Sequence, residues 1–412
     1  WFGNLVTCKW WSDIWLNEGF ATYWKYFGLE ASVPEFDPHN RFYIDSLVPA
    51  FNFDEVFIHP IRKSAENPKE ISALFDPIIY QKAASVIRMV ENIYGREVFH
   101  TALATYLEGT KYSNAEQDDL FRFYISQEKY VRNNGASDSV QTDGFWNIPI
   151  SVVSASRPDF LDKTPKLWLR NNQLSVSYNV DEADAGDWLI LNADATGFYR
   201  VLYSEDMLTE IVNQLITNAS VISPLTRSQL IDNYFNFVTA GYVDVTQALR
   251  LTKYLGQETT LSAWSLLTNH MRGAVNIFSG QSSAASSLKN YMLPKVENAL
   301  KLIGFEQAAG ANGTDVIVRG ILLDWACALE HTDCLNYAST LFKSWKDASD
   351  GINPIPTDIQ IVMYCGAISN PSSASEAFQF FYENYKREAN PTLKARLLNA
   401  LGCAKEGSIV DA

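Results

Sequence analysis

Glu18 stands in the run Trp10-Trp11-Ser12-Asp13-Ile14-Trp15-Leu16-Asn17-Glu18-Gly19-Phe20-Ala21-Thr22, a carboxylate set among aromatic and aliphatic side chains. A buried carboxylate is costly unless it is paired or bound to a metal. The residues alone leave two readings open: a salt-bridged or half-exposed glutamate, or a ligand in a metal site. The histidines are His39, His59, His100, His270 and His331, and none begins an HExxH. The cysteines are Cys8, Cys327, Cys334, Cys365 and Cys403, with no CxxC, which argues against a thiolate zinc site.

Cys327 and Cys334 would lie about 10 Å apart on one straight helix, too far for a disulfide. The polar Glu330-His331-Thr332-Asp333 between them is a candidate turn, and a helix–turn–helix brings the two sulfurs together. Cys365 and Cys403 would then form a second bridge. Sequons stand at Asn218-Ala219-Ser220 and Asn312-Gly313-Thr314, whereas Asn370-Pro371-Ser372 is blocked by its proline. Paired cysteines and sequons suit an extracellular protein; five buried thiols and two chance sequons are the plainer alternative.

The elements that must position these groups are mostly helical. Residues 12–26 and 77–94 carry helix-period apolar patterns, the latter through Ile78, Ile79, Ala83, Val86, Ile87 and Val90. Residues 102–107 and 117–124 read as shorter helices. The texture then changes. Strands are expected over 146–153, with Pro149 favouring an edge, and over 167–169, 174–178, 188–192 and 198–203. Asn171-Asn172 and Ala185-Gly186 supply turns, giving a small antiparallel β module. From Ser204 onward helical periods dominate, at 227–240, 245–255, 260–277, 288–302, 316–329 and 359–367, with the Ser-rich 281–288 expected as a surface loop. Short helices in series suit stacked hairpins.

The chain has 412 residues, which suggests two to four domains. Hydrophobic residues make up 47% and charged residues 19%, which excludes a disordered or collagen-like chain. With 33 Lys+Arg against 47 Asp+Glu the formal net charge is −14, which repels phosphate backbones and argues against nucleic acid as a partner. No apolar run approaches the roughly 18 residues of a membrane span. The chain opens at Trp1 on what reads as the middle of a domain, so a fragment is expected.

The run Trp1-Phe2-Gly3-Asn4-Leu5-Val6-Thr7, followed by Trp15-Leu16-Asn17-Glu18-Gly19-Phe20-Ala21, resembles the aminopeptidase N family of zinc exopeptidases (gluzincin type). In that family an HExxH helix precedes this stretch, and one residue separates its second His from the Trp-Phe-Gly run. That register places Glu18 at the third zinc-ligand position. The resemblance implies one zinc ion with an open position for water, and Asp13 and Thr22 as groups that orient the ligands. The block from Glu70-Ile71-Ser72 to Tyr80-Gln81-Lys82-Ala83-Ala84, preceded by His59-Pro60-Ile61, is similar to the family block ending Tyr-x-Lys-Gly-Ala. Tyr80 thereby takes the place of the tyrosine that donates to the oxyanion. Ala83 stands where the family usually has Gly, adding a methyl where backbones pack closely.

The likeness runs on through Trp146-Asn147-Ile148-Pro149-Ile150, Gly197-Phe198-Tyr199-Arg200-Val201, Arg227-Ser228-Gln229-Leu230-Ile231-Asp232 and both cysteine pairs. The fold class it implies is α+β and multidomain. Residues 1–124 would be the C-terminal part of a thermolysin-like helical catalytic domain. Residues 125–203 would be an antiparallel β-sandwich, and 204–412 a truncated α-helical domain of stacked hairpins. The activity implied is removal of single residues from peptides with a free N-terminus, on the extracellular face of the plasma membrane or secreted. The anchor would lie outside these residues, and the glycoprotein would carry glycans at Asn218 and Asn312. A homodimer, and docking of bacterial toxins in an insect gut form, are partners of this kind. The HExxH histidines, the base between them and a Gly-x-Met-Glu-Asn segment are not in the sequence, so the 412 residues alone are expected to be inactive and to hold zinc poorly. A Trp-x-x-Gln-x-Gly-x-Pro signature is also missing near Tyr124-Ile125, as if deleted. A non-catalytic receptor on the same scaffold, and a cytosolic hydrolase relative, are the alternatives.

Overall fold

The computed structural model describes residues 2–57, 59–116, 147–170, 173, 175–178, 187–278, 282–349 and 351–404. These form mostly helices with a few two-stranded sheets, in two compact units, Trp1–Lys253 and Tyr254–Ala412. The expected helix at 117–124, the Tyr124-Ile125 junction, Trp146 and the Asn171-Asn172 and Ala185-Gly186 turns lie outside the described residues.

In the first unit, strand β1 (Val6–Cys8) leads through a 3-10 turn, Trp11–Asp13, into α1 (Ile14–Ser32). Trp15, Leu16, Phe20, Tyr23 and Tyr26 bury one side of α1, and Phe20 stacks on Phe2 with centroids 4.4 Å apart. Short helices α2 (Pro38–Phe42), α3 (Val48–Asp54) and α4 (Pro68–Ser72) follow. Residues 77–94 are not one uniform helix: a π-turn, Ile78–Lys82, opens into α5 (Ala83–Tyr94). Then come α6 (Arg96–Thr110), which contains the expected 102–107, and β2 (Ser113–Ala115), which pairs in parallel with β1. Contact between α1 and α5 is intimate because Gly19 has no Cβ: one placed there would lie 2.7 Å from Ala83 Cβ. The extra methyl of Ala83 is fully buried against that glycine.

The expected strand at 146–153 divides at Ser151. β3 (Ile148–Ile150) pairs antiparallel with β5 (Leu167–Leu169), and β4 (Val152–Ser154) with β6 (Leu189–Leu191). Two expected strands are corrected. Residues 175–178 make no ladder and leave Val176 and Tyr178 exposed. Residues 198–203 make none either, because side chains take up their backbone groups. Asn192 Nδ2 donates to the carbonyls of Gly197 at 3.0 Å and Tyr199 at 2.9 Å, and Tyr234 Oη accepts from Tyr203 N at 3.3 Å. Arg200 is instead buried against Asp232 (2.5 Å), with its guanidinium over the Phe51 ring. The unit ends with α7 (Glu205–Asn218), α8 (Pro224–Thr239) and α9 (Val245–Arg250), capped by Ser204, Ser223 and Asp244.

The second unit stacks α10 (Leu261–Phe278), α11 (Ser282–Ile303), α12 (Gly313–Ala328), α13 (Thr332–Lys346), α14 (Gln360–Ser369), α15 (Ala374–Arg387) and α16 (Pro391–Leu401) against their neighbours. The Ser-rich stretch is a correction: from Ser282 it is helix, not loop. It holds no Gly or Pro to break a helix, and Ser287 Oγ back-bonds to the Ser283 carbonyl at 3.0 Å. The chain does reverse between Cys327 and Cys334. Glu330 takes a left-handed φ of 59°, and His331 Nδ1 accepts from Cys334 N at 3.3 Å to start α13. Cys327–Cys334 and Cys365–Cys403 are disulfides, and Cys8 is free.

Candidate functional site

The local sequence sets Glu18 in the first turns of α1, half-buried, and Tyr80 in the π-turn that precedes α5. Packing of α1 on that turn and on α5 brings the two together. The Tyr80 phenol faces the Glu18 carboxylate, and it is raised above the usual range, first by burial, then by the nearby charge of Glu18. The free thiol of Cys8 faces the same acidic corner: burial raises it most, followed by the charge of Asp13, with a smaller contribution from Glu18.

Asp13, 1% exposed, lies one residue before α1 and accepts from Arg62 Nε at 3.0 Å and Nη2 at 3.2 Å. Ser12 Oγ lies 3.3 Å from its Oδ2. Thr22 is half-buried one turn beyond Glu18. Asn218 and Asn312 are exposed and cap local turns, accepting from Ser220 N at 3.1 Å and Asp315 N at 2.8 Å.

Glu18 has the chemistry of a zinc donor, but among the described residues no three His, Cys, Asp or Glu side chains gather into a metal-holding group. These residues by themselves do not fit a zinc ion, which needs three or more protein donors. What the arrangement offers is a carboxylate with a phenol donor beside it.

Two residues that sequence reasoning did not assign hold Tyr80's turn. Asp76 Oδ1 accepts from Ile78 N at 2.8 Å, and Asp76 Oδ2 meets His59 Nε2 at 2.5 Å. The other ring nitrogen of His59 reaches the Pro60 carbonyl at 2.9 Å. At the far end of the turn, buried Lys82 pairs with Asp54 at 2.8 Å. The signal available in the sequence is Asp76-Pro77, a capping residue followed by proline at a first helical position. No comparable signal points to His59 as its partner.

A model of the peptidase family M1 domain matches residues 1–140, and a model of the ERAP1-like C-terminal domain matches residues 188–412. Aminopeptidase N of Plutella xylostella is 28% identical over 453 residues, covering 100% of this chain and 47% of the relative. Aminopeptidase Q of Homo sapiens is 30% identical over 461 residues, covering 100% and 46%. Membrane alanyl aminopeptidase of Manduca sexta is 26% identical over 461 residues, covering 100% and 45%. The chain spans about half the length of the curated relatives it matches. The aligned spans exceed the chain's 412 residues, so these relatives carry residues inside them that this chain does not. Among the described residues no helix is long and apolar enough to cross a membrane.

Proposed function

Because this chain belongs to the M1 family of aminopeptidases, we propose that the whole protein is a zinc aminopeptidase removing single residues from peptides with a free N-terminus. The observation that carries the reading is the packing of α1 on the π-turn before α5, which sets the Tyr80 phenol beside the Glu18 carboxylate from two segments distant in sequence. Glu18 is read as one carboxylate donor to zinc, with the remaining donors supplied from outside these residues. Zinc, when bound, supplies Lewis acidity.

The chain's own contribution follows from the geometry. Burial first, and then the charge of Glu18, holds the Tyr80 phenol above its usual range, so it stays a proton donor. Once a cation neutralises Glu18, the same hydroxyl is free to donate to an oxyanion that develops beside it. Such a preset donor acts where charge appears and needs no reorganisation. Asp13, fixed by Arg62, and Thr22 are read as groups that hold the Glu18 turn in place.

The test is Tyr80→Phe in the whole protein with an aminoacyl anilide. A loss of about 10²–10³ in kcat with little change in KM is expected for an oxyanion donor. An unchanged kcat would refute the role. The 412 residues alone are expected neither to bind zinc stoichiometrically nor to cleave the anilide.

The proposed layout is a catalytic-domain portion over 1–124, a β module over 125–203 and a helical domain over 204–412. Extracellular placement is supported by the two disulfides, which persist in oxidising compartments. Glycopeptide mapping at Asn218 and Asn312 tests it.

A further inference from the structure

We propose that His59 is a positioning residue: through Asp76 it fixes the turn that aims Tyr80 at Glu18. A π-turn carries one more residue than an α turn, so the direction of its side chains depends on where it opens. In this chain it opens at Ile78, whose N–H is taken by Asp76 Oδ1 at 2.8 Å. Asp76 can hold that N–H only if its carboxylate is itself held in one orientation. His59 does this by spanning Asp76 Oδ2 at 2.5 Å and the Pro60 carbonyl at 2.9 Å. Both side chains are largely buried, at 13% and 17% exposure, so water competes weakly for the bond. Pro77 brings no N–H of its own, which leaves that of Ile78 as the donor Asp76 takes. The far end of the turn is pinned independently by Lys82–Asp54, so loss of His59 frees one end only.

Hydrogen exchange on the 412-residue chain reads this without any activity. His59→Gln is expected to speed exchange over residues 78–82 about ten-fold or more, with α1 and the second unit unchanged. Unchanged exchange there overturns the proposal. So does a uniform rise across the first unit, which would make His59 a general packing residue. Should His59→Gln fail to fold, Asp76→Asn serves. It keeps an oxygen for Ile78 N but loses the carboxylate that His59 grips, and the same local rise is expected.

The kinetic arm rests on the reading of Tyr80 as oxyanion donor and uses the whole protein. His59→Gln should lower kcat with KM unchanged, and should add nothing when combined with Tyr80→Phe. Losses that multiply overturn the proposal. If Tyr80→Phe alone leaves kcat intact, it is the oxyanion reading that fails, and the exchange result still decides the role of His59.

Discussion

Replacing Gly19 with alanine should loosen the site without touching either of its functional groups. An ideal Cβ at Gly19 would lie 2.7 Å from Ala83 Cβ, 3.2 Å from Ile87 Cδ1 and 3.4 Å from the Ala83 carbonyl carbon. Carbon atoms rest at about 3.5–4.0 Å, so α1 and α5 must part by about 1 Å. Two of the three atoms are rigid, which puts the overpacking cost near the upper end of about 1–3 kcal/mol. Alanine's better helix propensity returns about 1 kcal/mol, leaving a net loss of about 2 kcal/mol. Ala83→Gly alone loses helix propensity and a buried methyl, together about 2 kcal/mol. The double variant exchanges the two side chains across the same contact. It should lie within about 1 kcal/mol of the parent, where additivity demands about 4 kcal/mol of loss. Differential scanning calorimetry of the chain reads this directly, at about 2–4 °C per kcal/mol for a unit of this size. A Gly19→Ala variant as stable as the parent, or a double variant that merely adds the two losses, would refute the close-approach argument.

Asp232→Ala leaves the Arg200 guanidinium buried without its main partner and should cost about 3–5 kcal/mol by denaturation, while Lys111→Ala at an exposed pair should cost less than about 1 kcal/mol. Removing the Cys365–Cys403 bridge, with a sequence separation of 38, should destabilise the second unit by about 4 kcal/mol, and removing Cys327–Cys334, separation 7, by about 2.5 kcal/mol. Non-reducing peptide mapping of each Cys→Ser variant shows which bridge remains. Burial raises Tyr26 and Tyr234 in the first unit and Tyr364 in the second, each to about 12. In the unfolded chain these phenols ionise near 10. Their contribution is intact below pH 10 and is lost between pH 10 and 12, where the folded state binds more protons than the unfolded one. Melting temperature should fall over that window, and Tyr26→Phe should make the fall shallower.

The cores of α1 and α5 were legible because Trp15, Leu16, Phe20 and Ile78, Ala83, Ile87 recur at helical spacing and are buried. The π-turn at the head of α5 was not, since an extra residue leaves the apolar period nearly intact and the Asp76 bond at its opening is a side-chain event. Helices α7 and α15 were not expected, although Leu208, Ile211 and Leu215 in the one and Ala377, Phe378 and Phe381 in the other line a single buried face, because charged and polar residues fill the rest of each helix. Strand propensity misled at 198–203, where aromatic and β-branched residues surround a buried arginine that takes an ion pair in place of a ladder. Glu18 and Tyr80 were reached through likeness to a family. Periodicity gives each a face on its own helix but cannot say that the two faces meet. His59 illustrates the limit, since its partner is a loop carboxylate found only through tertiary contact.

The parallel ladder between β1 and β2 bears on the order in which the first unit assembles. Val6↔Ser113, Thr7↔Asn114 and Cys8↔Ala115 join the two ends of a helical segment, and Lys9–Glu116 clasps them at 2.9 Å. Closing a loop of that length costs about 4 kcal/mol beyond a constant, against three residues of pairing. The ladder therefore forms late, after α1 and α5 have met, and opens early. Cys8 and the strand that leads toward α1 thus belong to the part of the unit that is last to lock. A destabilised form should release this strand, and with it Cys8, while the α1–α5 contact beside Glu18 persists.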